Sequence, residues 1–223
     1  MKRKVDEMTK ICIFDLDGTL LNTLENIGGN MNEALEAFDI EPFPIDDYRY
    51  FVGNGSRVLA ERALAARGKM TPEFFAEFYP RFFSIYKAHP HEGVSVYDGV
   101  FELLAGLKER GIRVAVCTNK PNAAAHGSID HFFAPEAIDD IVGAVDGKPL
   151  KPAPDSVLGL LEKYGIAPHE AVFIGDSDVD MQTAVAAGVR GFGALWGFRT
   201  AEELTEAGAT GLLSHPLELL DKI

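Results

Sequence analysis

Two carboxylates one residue apart, Asp15 and Asp17, follow directly on the apolar run Ile11-Cys12-Ile13-Phe14. Acids this close cannot both stay ionised cheaply in a buried place without a cation. A hard divalent ion such as Mg²⁺, which takes oxygen ligands, solves that problem. A second acidic group stands in IGDSDVD, residues 174–180: Asp176 closes an apolar run and can supply a further metal oxygen. Asp180, four residues on, faces the same way on a following helix, while Asp178 caps that helix or faces solvent. Thr118 and Asn119 close another apolar run. A hydroxyl and a backbone N–H at a helix start suit a phosphate oxygen. Lys151 lies in LKPAPD, between Pro149, Pro152 and Pro154. Prolines restrict the backbone around them to extended conformations, so the lysine is expected to present a fixed positive charge.

These residues need elements to carry them. Ile11–Phe14, Ile112–Cys117 and Ala171–Ile174 read as strands buried on both faces, as in a parallel sheet. Helical patterns alternate with them. Val100 to Arg110 has Phe101, Leu104 and Leu107 on one face and stops at Gly111; Ser156 to Tyr164 stops at Gly165, and Val179 to Ala187 at Gly188. Gly191–Leu195 and Thr210–Leu213 are expected to add edge strands. The alternation predicts a doubly wound, Rossmann-like α/β sheet, whose ligands sit beyond the carboxyl ends of the strands. From about Thr23 to His91 the alternation stops. Thr23–Phe38, Gly55–Ala66 and Thr71–Ala88 read as helices, the last with Thr71 as N-cap and Pro72 at its first position. Its stripe of Phe74, Phe75, Phe78, Phe82, Phe83 and Ile85 reads as core. The block is expected to be a helical bundle inserted after the first strand, with joints near Leu21–Thr23 and His89–Val96.

The chain has 223 residues, enough for a full domain and a smaller one, and 47% hydrophobic residues, enough for a sizeable core. A formal net charge of −13 repels nucleic-acid phosphates and anionic membranes, so no nucleic-acid or membrane partner is expected. Cys12 and Cys117 lie inside apolar runs and read as small core residues in a reducing compartment. The charged N-terminal stretch MKRKVDEMTK has no apolar signal core, and no segment approaches a membrane span of ~20 residues; a cytoplasmic setting is expected. The scattered histidines His89, His91, His126 and His131 read as solvent-facing or hinge residues rather than ligands.

DLDGT, a strand ending in Thr118-Asn119, KPAP and GDSDVD stand in the order and contexts of the four motifs of the haloacid dehalogenase superfamily. The chain resembles that family over roughly Ile11 to Asp180. The resemblance implies a catalytic core of residues 1–21 and 93–223 and a helical C1 cap of residues 22–92. It implies that Asp15 is the nucleophile forming an aspartyl-phosphate and Asp17 the general acid/base, with a backbone carbonyl on the metal. Thr118 and the N–H of Asn119 would hold the phosphoryl group, and Lys151 would neutralise its charge. Asp176 would bind Mg²⁺ directly, with Asp180 helping through water or by orienting Lys151. Asp17 argues against halide release, since the dehalogenases of the superfamily lack it. Lys69 and Lys87 sit in no motif of the kind that supports phosphonate cleavage.

The segment FVGNGSRVLAERAL, residues 51–64, resembles the cap segment of phosphoglycolate phosphatases, as does the tail from ALWGFRT onward. Gly53, Asn54 and Gly55 are expected to bring backbone N–H groups to a small anion, and Arg57 to meet a substrate carboxylate. Many relatives carry Asp-Ser where Asn22-Thr23 stands here, at a non-catalytic position. The implied activity is Mg²⁺-dependent hydrolysis of a small phosphorylated substrate, 2-phosphoglycolate. Alternatives are another small phosphate (pyrophosphate, a nucleoside monophosphate or a sugar phosphate), a phosphomutase, or a non-catalytic phospholigand-binding regulator. Monomer and homodimer are both compatible with the sequence.

Overall fold

A computed structural model of the protein describes residues 8–223. Residues 1–7, which hold most of the charged N-terminal stretch and begin the 1–21 segment, lie outside the described residues. The chain opens with β1 (Ile11–Phe14), then β2 (Leu21–Asn22) and three helices, α1 (Leu24–Glu36), α2 (Ser56–Ala66) and α3 (Pro72–Ala88). It returns through β3 (Ser95–Val96) and α4 (Val100–Glu109) to β4 (Arg113–Pro121), α5 (Asn122–Phe132) and β5 (Asp140–Ala144). Then follow α6 (Asp155–Tyr164), β6 (Ala171–Gly175), α7 (Asp178–Ala187), β7 (Arg190–Ala194), α8 (Ala201–Glu206) and β8 (Gly211–Leu213).

Six strands form one parallel sheet in the order β5-β4-β1-β6-β7-β8. Alternate residues of its central strands point to opposite faces. Cys12, Phe14, Val114, Val116, Val172 and Ile174 join one core with α4 and α5. Ile11, Ile13, Ala115, Cys117, Ala171 and Phe173 join another with α6 and α7. This two-sided burial is the reason the strands read as unbroken apolar runs. Burial also pushes both cysteine thiols up, and both are free. No helix among the described residues is long and apolar enough to cross a membrane.

The structure departs from the sequence expectations in four places. The strand β5 is an additional edge strand, all five of its residues half-buried, formed by the short apolar run Ile141–Ala144. The strand β7 is interior, leaving β8 as the edge. In α4 the inward stripe is Val100, Leu103, Leu104 and Leu107, while Phe101 is 55% exposed, its ring tilted against that of Phe133 with centroids 5.8 Å apart. The proline-flanked segment at Lys151 is a turn, closed by Ala153 N–H donating to Leu150 O, rather than an extended strap.

The helices α1–α3 share a core in which Leu35, Tyr48, Phe78 and Phe82 are at most 1% exposed. Thr71 caps α3, its hydroxyl accepting from Phe74 N–H at 3.2 Å. The chain leaves and rejoins the sheet through β2 and β3, which pair antiparallel as a two-stranded ribbon. Phe78→Ala should cost about 3–5 kcal/mol by opening a cavity in this helical core; chemical denaturation of the variant and the wild type measures it, and a loss below about 1 kcal/mol would contradict the packing.

Candidate active site

Strands β1, β4 and β6 deliver their terminal residues to one edge of the sheet. Asp15 follows β1, Asp176 follows β6, and Thr118-Asn119 lie near the end of β4 rather than beyond it, because β4 continues past an irregularity to Pro121. Lys151 arrives from the turn after β5 and is fastened by Asn119. Its N–H donates to Asn119 Oδ1 at 2.9 Å, and Asn119 Nδ2 donates to its carbonyl at 3.0 Å. The lysine's Nζ lies 2.9 Å from Asp15 Oδ1 and 2.5 Å from Asp180 Oδ1.

Asp180 is fully buried at the start of α7. Ser177 N–H and Oγ both donate to its Oδ2, at 3.0 and 2.6 Å, in a reciprocal capping box. Asp176 is held by Thr19 Oγ1 and by the backbone N–H of Phe198, each at 2.9 Å. Close backbone approach makes this possible. At Gly18, where φ is +89°, a Cβ would fall 2.3 Å from Asp176 Oδ2; at Gly197 it would fall 2.1 Å from Asp176 Cβ. Oxygens of Asp15, Asp176 and Asp180 lie within 4.8 Å of one another.

Burial and the neighbouring Asp180 push Asp15 up to about 7, against the opposing pull of Lys151. Burial, then Asp180 and Asp15, likewise push Asp176 well above the usual carboxylate range. Lys151 stays protonated, because the attraction of Asp15 and Asp180 outweighs its burial. Asp17 turns away from this cluster and pairs with Lys120, whose Nζ donates to Asp17 Oδ1 at 2.8 Å. Four carboxylates thus meet two buried ammonium groups, Lys151 and Lys120. A divalent cation would make up the difference, and all-oxygen donors suit Mg²⁺, so the residues present fit the ion.

Above the acids lies a cavity of about 50 Å³, walled on the helical side by Ile27, Leu59, Phe82 and Tyr86. Gly53 and Gly55 line it, and the Gly53 carbonyl accepts from Asn119 Nδ2 at 3.0 Å. Asn54 instead accepts from Arg62 at 2.8 Å. Arg57 is not brought to the cavity: its side chain is 65% exposed, pairs with Glu61 one helical turn on, and lies 4.5 Å from the Phe75 ring centroid. The helical phase of α2 points it outward, where those two partners satisfy it.

Arginines cross between the helical block and the sheet in both directions. Arg49 donates to Gly197 O at 3.0 Å, while Arg199 donates to Arg49 O and, at 3.2 Å, to Val52 O. Sequence reasoning passed over Lys120, Thr19, Ser177, Arg49 and Arg199. Ser177 was findable, since Ser-x-x-Asp is a capping-box pattern; a lone lysine or arginine in a loop gives no such signal.

The profile of the haloacid dehalogenase-like hydrolases matches residues 12–194. The chain belongs to that family. Among curated relatives, the phosphoglycolate phosphatase of Cereibacter sphaeroides is 38% identical over 211 residues, covering 94% of this chain and 95% of its own. That of Rhodospirillum rubrum is 36% identical, covering 82% and 78%. A crystal structure from Haemophilus somnus, described as a predicted phosphoglycolate phosphatase, superposes with a TM-score of 0.90 at 26% identity, over 98% of this chain and 99% of that one.

Between the ordinary carboxylate pKa of about 3.9 and about 7, metal-free folded protein holds a proton on Asp15 that the unfolded chain has released. The contribution of this group to stability therefore falls as pH rises through that window. In excess chelator, Asp15→Asn should gain in melting temperature over wild type as pH rises from about 4 to about 8. A difference that stays flat or shrinks over that range would contradict the burial of charge described here.

Proposed function

We propose that the protein is a Mg²⁺-dependent phosphomonoesterase that hydrolyses 2-phosphoglycolate through an aspartyl-phosphate on Asp15. The observation that carries this reading is the division of labour between the two acids of the first motif. Asp15 is fixed by Lys151 within the acidic cluster, while Asp17 stands apart on Lys120. These separate pairings support one acid as the nucleophile and the other as the proton carrier.

In the first step an Asp15 carboxylate oxygen attacks phosphorus, the P–O bond to glycolate breaks, and Asp17 gives its proton to the departing oxygen. In the second, Asp17 takes a proton from water; the water oxygen attacks phosphorus, the bond to Asp15 breaks, and inorganic phosphate leaves. Thr118 and the N–H of Asn119 hold the phosphoryl oxygens in this scheme, and Lys151 balances their charge. The 2.5 Å contact supports orienting Lys151 as the role of Asp180. Asp15, Asp176 and the Asp17 carbonyl would hold Mg²⁺, which when bound supplies positive charge to the phosphoryl oxygens. Residues 22–92 act as the cap over a core of 1–21 and 93–223, with Gly53 and Gly55 offering backbone to the ligand.

The names of the relatives from Cereibacter and Rhodospirillum support the choice of 2-phosphoglycolate. The two buried free thiols fit a reducing, cytoplasmic setting.

Asp15→Asn should lower turnover of 2-phosphoglycolate at least about 10³-fold while still binding it, and acid quenching of wild-type enzyme during turnover should trap phosphate on Asp15. A variant with near-normal turnover would overturn the covalent route. Excess chelator should abolish activity and added Mg²⁺ restore it; full activity in chelator would overturn the metal assignment.

A further inference from the structure

The reading above leaves unanswered what recognises the carboxylate of the substrate. That group enters a cavity whose floor is acidic and whose helical wall is apolar, so without a cation it would be repelled below and stripped of water above. The cations near the cavity are few, and most are committed. Lys151 is held between Asp15 and Asp180. Arg199 lines the cavity, yet its guanidinium is spent on the carbonyls of Arg49 and Val52 and lies 3.7 Å from Asp178. Arg57 lies on the outer face of α2, paired with Glu61.

Lys120 remains. It directly follows Thr118-Asn119, lines the cavity, and has a side chain only 3% exposed. An ammonium carries three donors; Asp17 accepts one at 2.8 Å, and the Tyr86 ring lies with its centroid 5.4 Å from Nζ. We propose that Lys120 is the specificity-determining cation of this site and binds the carboxylate on the leaving group of the substrate. Given the phosphatase reading above, a simple juxtaposition supports this role. Asp17, in that reading, serves the ester oxygen, and in 2-phosphoglycolate the carboxyl group is one methylene from that oxygen. A lysine in contact with Asp17 is therefore within reach of the carboxylate. Tyr86 and Phe82, from α3, close the same corner of the cavity, so the lysine's charge faces the ligand rather than solvent.

The test compares kcat/KM for 2-phosphoglycolate with that for ethyl phosphate, which keeps the phosphoryl group and lacks the carboxylate. In Lys120→Met the ratio should fall by roughly 10- to 100-fold, chiefly through KM for 2-phosphoglycolate, and Lys120→Arg should restore most of it. If Lys120→Met does not fold, Lys120→Gln, which keeps a donor for Asp17, serves in its place. An unchanged ratio, or an equal loss on both esters, would overturn the proposal; the equal loss would assign Lys120 to positioning Asp17 alone. A wild-type enzyme with no preference for 2-phosphoglycolate would instead overturn the substrate reading, and this inference with it.

Discussion

The structure is organised around a cluster of buried carboxylates at the floor of a cavity. Asp15, Asp176 and Asp180 bring oxygens within 4.8 Å of one another, and all three are buried. Such a cluster is tolerable only where cations and donors are fixed around it beforehand. Each surrounding feature serves that need: Lys151 between two acids, Ser177 and Thr19 donating to two of them, and the N–H of Phe198 brought in by a close backbone crossing. What the protein itself leaves unbalanced is negative charge of the kind a divalent cation would neutralise.

The parallel sheet makes this arrangement possible. Strands running the same way end on the same edge, so residues far apart in sequence arrive together without long loops. The backbone must still approach closely, and Gly18 and Gly197 permit it where a side chain would collide with Asp176. The same edge faces the helical block, whose apolar residues Ile27, Leu59, Phe82 and Tyr86 roof the acids. An acidic floor under an apolar roof admits a small anion only when every charge on it finds a partner.

Much of this was legible in the sequence. The central strands are buried on both faces, so they appear as apolar runs, and the acids that end them stand out by contrast. The aromatic stripe of α3 marked the helical core, and Thr71-Pro72 marked where that helix begins. The outward turn of Phe101 was hidden, since it depends on what neighbouring elements cover rather than on local pattern, while β5 showed only a short apolar run with no polar, chemistry-capable residue at its end. The inserted helices hid more. Arg57 looks equipped for an anion by type and neighbourhood, but the phase of α2 carries it to the surface. Lys120 looks like an ordinary loop lysine until the fold closes Tyr86 over it.

The crossed arginines at the junction of block and sheet donate to peptide carbonyls at Gly197, Arg49 and Val52, with Asp46 and Asp178 farther off at 3.6 and 3.7 Å. A carbonyl does not titrate, and a guanidinium keeps its proton across the accessible pH range. The carbonyl contacts themselves are therefore unaffected by acidity, even though the chemistry beneath them is governed by it. Val52 accepts through its carbonyl, so this contact depends on the path of the main chain rather than on the side chain, which lines the cavity and packs against the helical core. Drift in this stretch can thus reshape the mouth of the cavity while the attachment of the helices stays as it is.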